Sequence, residues 1–376
     1  MRRFFAATLV IVCACGSAAH SQTLTDRIDA LQMTHGHLPG AYLQNAGAGG
    51  LRWYFSMTGV HAVALDNKHD KQVNAFLDSY LGTATRPGDA INDVVDLTKP
   101  AIVWKLADSD DSYAARILSL ASWFGGRGKA GEKWFKNQLP RLKFIATANL
   151  LDVIDPQTRL TLSYNGMPNR LTAPLPAGQE YHKEHEKDVA NATIYSKIGQ
   201  VMDNCEAYRG LKDFAARLKA IGDPDAEKYE AAAKTVAAGI AGLYDPQVRA
   251  FRVNTDQKAV GRDFYPGRFV QAAPQVFEVD FGMETKAMYD GAWTHLNAGG
   301  DRWWEGKTTD DTTLIFEKQP QKFPCMMLAY AAKLRGDKLK LQSHLKYFKQ
   351  TMEAPGTRPE FSNIDELGWA LRASRQ

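Results

Sequence analysis

The sequence predicts an all-α fold, an (α/α)6 barrel in which six helical hairpins close into a toroid with a small β-hairpin inserted. Three observations carry that prediction. Gly and Pro punctuation cuts the 376 residues into about a dozen helical patterns with few strands between them. The patterns also come in two kinds. Stretches dense in apolar and small residues, such as SYAARILSLASWF, PCMMLAYAAKL and DELGWALRA, alternate with amphipathic ones, such as DKLKLQSHLKYFKQTM. A helix apolar nearly all round belongs inside a fold, and one with a single apolar stripe belongs outside. Finally, tight GD and GDPD turns join several pairs into antiparallel αα-hairpins. There is no fixed-length repeat, which argues against a regular solenoid.

The chain opens with MRRFFAATLVIVCACGSAAHSQ. Arg2 and Arg3 precede an apolar run from Phe4 to Ala14, and small residues stand before Gln22. That is the pattern of a cleaved export signal over residues 1–21, with 22–376 as one barrel domain destined for the periplasm or the medium. The apolar run is short for a membrane span. VCA before Cys15 is a poor lipid-attachment sequence, and the match to a twin-arginine signal is weak. Cleavage would leave Cys205 and Cys325, which can pair in an oxidising compartment or remain buried thiols.

Helical spacing then covers about 24–34, 54–66, 69–82, 110–124 and 131–150. A Pro-, Gly- and Asn-rich irregular stretch runs from about 155 to 180. Helix resumes over about 184–221, with a break near Gln200, and over about 225–243. YDPQVRAFRVNTDQKAV reads as a β-hairpin turning at Asn254 to Gln257. The last helices cover about 267–278, 283–298, 324–335, 338–352 and 363–373. Closing six hairpins requires the C-terminal helix to be an inner wall, with the 24–34 helix packed outside it.

Composition excludes several classes. At 44% hydrophobic and 23% charged the composition is ordinary for a globular enzyme, and a net charge of +4 without a basic block gives no sign of a nucleic-acid partner. No Gly-rich phosphate loop follows a strand, GGRGKAGEKW lacks Walker spacing, and no Gly-x-Ser-x-Gly elbow is present, so no cofactor is implied. YHKEHEKD sets His182 and His185 beside Glu184 and Glu186 without the His-Glu-x-x-His order of zinc proteases. It reads as a solvated charged segment, and no metal is expected.

In such a barrel the loops leading into the inner helices gather at one end. The candidate inner helices begin with DSDDSYAAR, MDNCEAY, FYPGRFVQ, FPCMM and SNIDELGWA. LADSDDSYAARIL places Asp108, Asp110 and Asp111 within four positions. One or two acids satisfy a helix start, and a surplus repels itself, raising a carboxyl pKa toward the range of a general acid. In VMDNCEAYRGL, Asp203 and Glu206 stand three apart and share a helix face, although a capping box explains the same pair. These five residues are the candidate catalytic carboxyls. Trp53, Tyr54, Tyr113, Tyr208, Tyr265, Trp293, Trp303 and Trp304 are candidate substrate-binding rings, since flat rings stack on sugar faces while acids hold hydroxyls. Core packing competes for each of them.

On these residues the chain resembles the six-hairpin glycosidases. LADSDDSYAARIL is similar to the Asp-rich inner-helix motif of family eight glycoside hydrolases, where Ala-Thr-Asp-Ala-Asp-Leu places an aspartate in the sugar site. The match puts Asp108 and Asp110 at the two aspartates. That family takes its general acid from a glutamate at the start of the first inner helix, and LRWYFSMTGVHAVALD has none.

The resemblance implies a carbohydrate substrate hydrolysed between two carboxyls, one from the Asp108/Asp110/Asp111 cluster and one from Asp203 or Glu206. Two alternatives stay open. A polysaccharide lyase would need a Tyr or His base, for which Tyr113, Tyr208 and His61 are available. A non-catalytic glycan-binding barrel would account for the missing glutamate. The sequence does not determine an oligomeric state.

Overall fold

The computed structural model describes residues 23–36, 38–46, 50–83, 92–97, 102–107, 109–164, 175, 177–307, 323–353 and 362–375. Its helices are α1 (Leu24–Asp29), α2 (Trp53–Ala64), α3 (Asp70–Thr83), α4 (Asp110–Gly125), α5 (Gly128–Asn149), α6 (His185–Tyr195) and α7 (Val201–Ala220). They continue as α8 (Ala226–Ala241), α9 (Ala273–Val276), α10 (Thr285–Asn297), α11 (Met327–Arg335), α12 (Lys338–Glu353) and α13 (Ile364–Ser374). Tighter helical turns over Phe264–Arg268 and Phe269–Ala272 lead into α9.

Packing order closes the barrel. α2 lies against α4, α4 against α7, α7 against α9, α9 against α11, α11 against α13, and α13 against α2. Six inner helices therefore form a ring. α3, α5, α8 and α12 each pack outside the inner helix they follow, and α10 packs outside the turn at 269–272. α1 closes the outer layer against α13 and α2, as the six-hairpin arrangement requires.

The residue types explain which helices go inside. In α13 every residue from Ile364 to Leu371 is buried, and α4 buries nearly its whole surface. Small residues bring the inner backbones close. A Cβ on Gly210 of α7 would stand 2.4 Å from the Ala115 carbonyl oxygen, and one on Gly368 of α13 would stand 2.8 Å from the Gly59 Cα of α2. The second contact is backbone on backbone, at the seam where the last inner helix meets the first.

Local differences from the sequence reading have identifiable causes. α1 stops at Asp29, short of the expected 34. The 184–221 pattern divides into α6 and α7 around Gln200, whose backbone bridges Asn254. The β-hairpin is real but turns earlier, between β4 (Tyr244–Asp245) and β5 (Ala250–Phe251), where Arg249 takes a φ of 58°. The Asn254 side chain does accept from the amides of Asp256 and Gln257, but that turn docks on Gln200 rather than closing the hairpin.

The structure also contains a small sheet that the sequence reading lacks. β1 (Asn92–Asp96) pairs antiparallel with β2 (Ile102–Leu106), which pairs parallel with β3 (Gln179–Tyr181). Cys205 and Cys325 are both buried thiols rather than a disulfide. Among the described residues no helix is long and apolar enough to cross a membrane. Residues 1–22, where the export signal is expected, lie outside the described residues.

Candidate active site

The first turns of the inner helices converge on one cavity of about 380 Å³. Its walls are Arg52, Tyr54 and Phe55 at the start of α2, Ser109, Ser112 and Tyr113 of α4, and Gln200, Met202 and Asp203 of α7. Tyr265, Pro266, Phe269 and Val270 follow, then Phe323, Cys325 and Met327 before and in α11, and Asp365, Glu366 and Trp369 of α13. Helix N-termini carry partial positive charge, which offsets some of the repulsion among acids gathered there.

Among the described residues three carboxyls line this cavity: Asp203, Asp365 and Glu366. α7 and α13 stand third and sixth in the ring, so Asp203 faces the α13 pair from the opposite wall. Asp203 is held by the Ser109 hydroxyl, which donates to its Oδ2 at 2.9 Å. Asp365 and Glu366 are adjacent and buried. Burial pushes the Glu366 carboxyl up to about 8, and the Asp365 charge adds to the rise. The amides of Met326, at 2.6 Å, and of Cys325 oppose it. Burial also raises Asp365, to about 6, but the Arg116 guanidinium 3.7 Å away holds it down. At neutral pH the pair therefore presents one protonated and one ionised carboxyl, with Asp365 the ionised member.

Glu206, a candidate from the sequence, does not line this cavity. It lies beneath, with Oε1 accepting from Arg116 Nη2 and from the Tyr54 hydroxyl, each at 2.8 Å. Arg116 stacks 4.0 Å over the Tyr54 ring. The result is a charge-compensated floor that anchors Tyr54 and supports Asp365 from below.

Asp110 and Asp111 make buried contacts away from the cavity. Asp111 is buried and accepts from the hydroxyls of Thr161 at 2.6 Å and Ser163, and from the Ser112 amide at 3.0 Å. It ties the start of α4 to the chain at 161–163. Asp110 is fully buried and accepts from Asn149 Nδ2 at 2.9 Å, locking α4 to α5. Neither of these two sequence candidates lines the cavity, because their carboxylates turn into the contacts just described. Asp108 lies outside the described residues.

The aromatic candidates divide in the same way. Tyr54, Tyr113 and Tyr265 line the cavity. The Tyr113 hydroxyl donates to Asp93 of β1 at 2.8 Å. Trp53 is a correction: it points outward and is wholly buried against Phe76 and Tyr80 of α3. Trp303 is another, fully buried among Trp293, Trp304 and His344. Trp293 and Trp304 flank it with Lys340 over their rings, away from the cavity. Tyr208 borders a different groove, between α7, α8 and α10. The charged segment before α6 makes local contacts: His182 pairs with Asp188, and the His185 ring stacks on Tyr181.

Asp365 and Glu366 are absent from the sequence candidates, although SNIDELGWA reads as the start of an inner helix. The available signal is a second acid beyond what capping needs, because Asn363 already accepts the Asp365 amide at 2.9 Å.

The packing order and the cavity together define an (α/α)6 barrel with carboxyls at the mouth formed by its inner-helix N-termini. Solved structures share this fold over nearly the whole of the present chain. A family GH63 mannosylglycerate hydrolase from Thermus thermophilus, in complex with glucose, matches with a TM-score of 0.57 and 12% identity over 93% of this chain and 98% of that one. An uncharacterised conserved protein from the same organism matches with a TM-score of 0.56 and 14% identity over 93% and 98%. A rhamnosidase from Klebsiella oxytoca with rhamnose bound matches with a TM-score of 0.56 and 10% identity, over 95% of this chain and 65% of its own. No protein-family model and no curated protein matches the sequence.

Proposed function

We propose that the chain is a glycoside hydrolase that cleaves its substrate in the cavity at the N-terminal mouth of the barrel. The observation that carries this reading is the placement of Asp203 on one inner helix and the Asp365/Glu366 pair on the helix opposite. Glycosidic hydrolysis needs two carboxyls flanking the scissile bond, one giving a proton to the leaving oxygen and one activating water or attacking the anomeric carbon. Asp365, ionised at neutral pH, is assigned the water-activating role, and Asp203 on the far wall the protonation of the leaving group. Glu366 keeps its proton and holds the α13 start to the amides of Met326 and Cys325. Tyr54, Tyr265 and Trp369 supply ring faces, and Ser109, Ser112 and Ser163 supply hydroxyls for sugar edges.

Two of the solved structures that share the fold are a mannosylglycerate hydrolase in complex with glucose and a rhamnosidase with rhamnose bound. That supports a carbohydrate as substrate. A lyase gains no comparable support. The Tyr113 hydroxyl is committed to Asp93, Tyr208 lies off the cavity, and His61 sits below its floor. The opening MRRFFAATLVIVCAC supports export, so the protein would meet its glycan outside the cytoplasm.

The test is sugar release by the purified mature protein from a panel of disaccharides and bacterial and plant polysaccharides. Asp203→Asn and Asp365→Asn should each lower turnover by about 10²–10⁴-fold without unfolding the protein. Undiminished turnover in both variants would refute the assignment. Glycan binding without turnover would favour a binding barrel, and unsaturated products a lyase.

A further inference from the structure

A second cavity, of about 150 Å³, lies deeper in the barrel, and Trp369 borders it as well as the first. Three arginines and a histidine face it, Arg116, Arg209, Arg372 and His61, against two carboxylates, Glu206 and Glu278. Both carboxylates are already engaged. Glu206 pairs with Arg116, and Glu278 pairs with Arg209, which also binds Asp213 at 2.9 Å.

Arg372 is different. Among the described residues no carboxylate reaches its guanidinium. It rests on the ring faces of Tyr330 at 5.0 Å and Trp369 at 5.2 Å, and its Nε is shut off from solvent with no hydrogen-bond partner. Burial pushes this guanidinium down, as do Arg209 and Arg116, while Tyr330 and Glu278 oppose. His61 beside it is held well below its usual range, by burial and then by Arg372, Arg209 and Arg116, and so faces the cavity neutral. A buried donor left unsatisfied is unfavourable, and Arg372, itself half-buried, adds a cation with no ion-pair partner among the described residues. A fold that keeps both beside an open volume leaves a seat with the donors and the charge for an anion.

We propose that this second cavity binds one small oxyanion, of phosphate or sulfate size, on the guanidinium of Arg372 with His61 as a further donor. The cavity is large enough for a small oxyanion together with its waters. A planar guanidinium is matched to such an ion because it offers two parallel N–H donors. The site shares Trp369 with the mouth cavity, and its Arg116 reaches toward Asp365, but the proposal does not depend on the glycosidase reading.

Isothermal calorimetry with inorganic phosphate tests it, using full-length mature protein and chloride at matched ionic strength as the control. A saturable one-to-one heat with phosphate, displaced by sulfate and absent with chloride, is expected. Arg372→Met, which keeps the stem on Trp369, should weaken affinity by at least about tenfold, and Arg372→Lys, which keeps the charge but loses the fork, by less. Excluded-ion stabilisation by phosphate and sulfate does not saturate and would be the same in all three proteins. No saturable heat, or equal affinity in wild type and both variants, would overturn the proposal.

Discussion

Glu366 shows how one residue couples stability to pH. Its carboxyl binds a proton more tightly in the folded chain, at about 8, than in the unfolded one, near 4.5. Between those values the native state holds more protons than the unfolded state, so stability falls as pH rises through the window. Glutamine keeps the neutral form's shape at any pH. Glu366→Gln should therefore unfold like the parent near pH 4 and be more stable than it at pH 8–9, by an amount on the order of a few kcal/mol. Urea melts at both pH values check this, and a variant less stable at pH 9 would contradict the buried placement. Asp365, held at about 6, sets a second expectation. If it is the base, kcat should fall as pH drops through 6, and Asp365→Asn should remove activity rather than shift that limb.

At the scale of elements, close approach of small residues decides which helices touch. Gly210→Ala would press a methyl into the Ala115 backbone and Gly59→Ala into Ile364, in a core that relaxes only partly. Each should cost about 1–3 kcal/mol, read as a lower unfolding midpoint in urea. Asp111→Ala is expected to cost a similar amount, because it strands the hydroxyls of Thr161 and Ser163 at the foot of α4. The helices were legible because period and polarity are local properties, and five inner helices were read from stretches beginning at Asp108, Met202, Phe264, Phe323 and Ser362. The strands at 92–96 and 102–106 were not. Each is only five residues long, and β3, which pairs with the second, is 73 positions beyond its end. The hairpin turn was misplaced because Asn254 to Gln257 has the stronger turn chemistry, yet Gln200 claims it.

At the scale of the whole molecule, the sequence by itself determined the class of fold. Alternation of all-apolar and one-sided helices permits few closed arrangements, and a toroid of six hairpins is one of them. It also indicated that acids collect where inner helices begin, since those positions favour negative charge whatever the partners. Only the tertiary structure decided which acids meet. Asp110, Asp111 and Asp203 look alike along the chain, yet the first two turn into bonds with Asn149 and Thr161 while Asp203 lines the cavity. Asp365 and Glu366 become its opposite wall only because the last helix closes the ring against the first, 300 residues away in sequence. Burial at that seam, and the arginine beneath it, give the two neighbouring carboxyls different charges. Those are properties of the closed barrel, created by loss of water and by contacts between distant helices, and no local pattern encodes them.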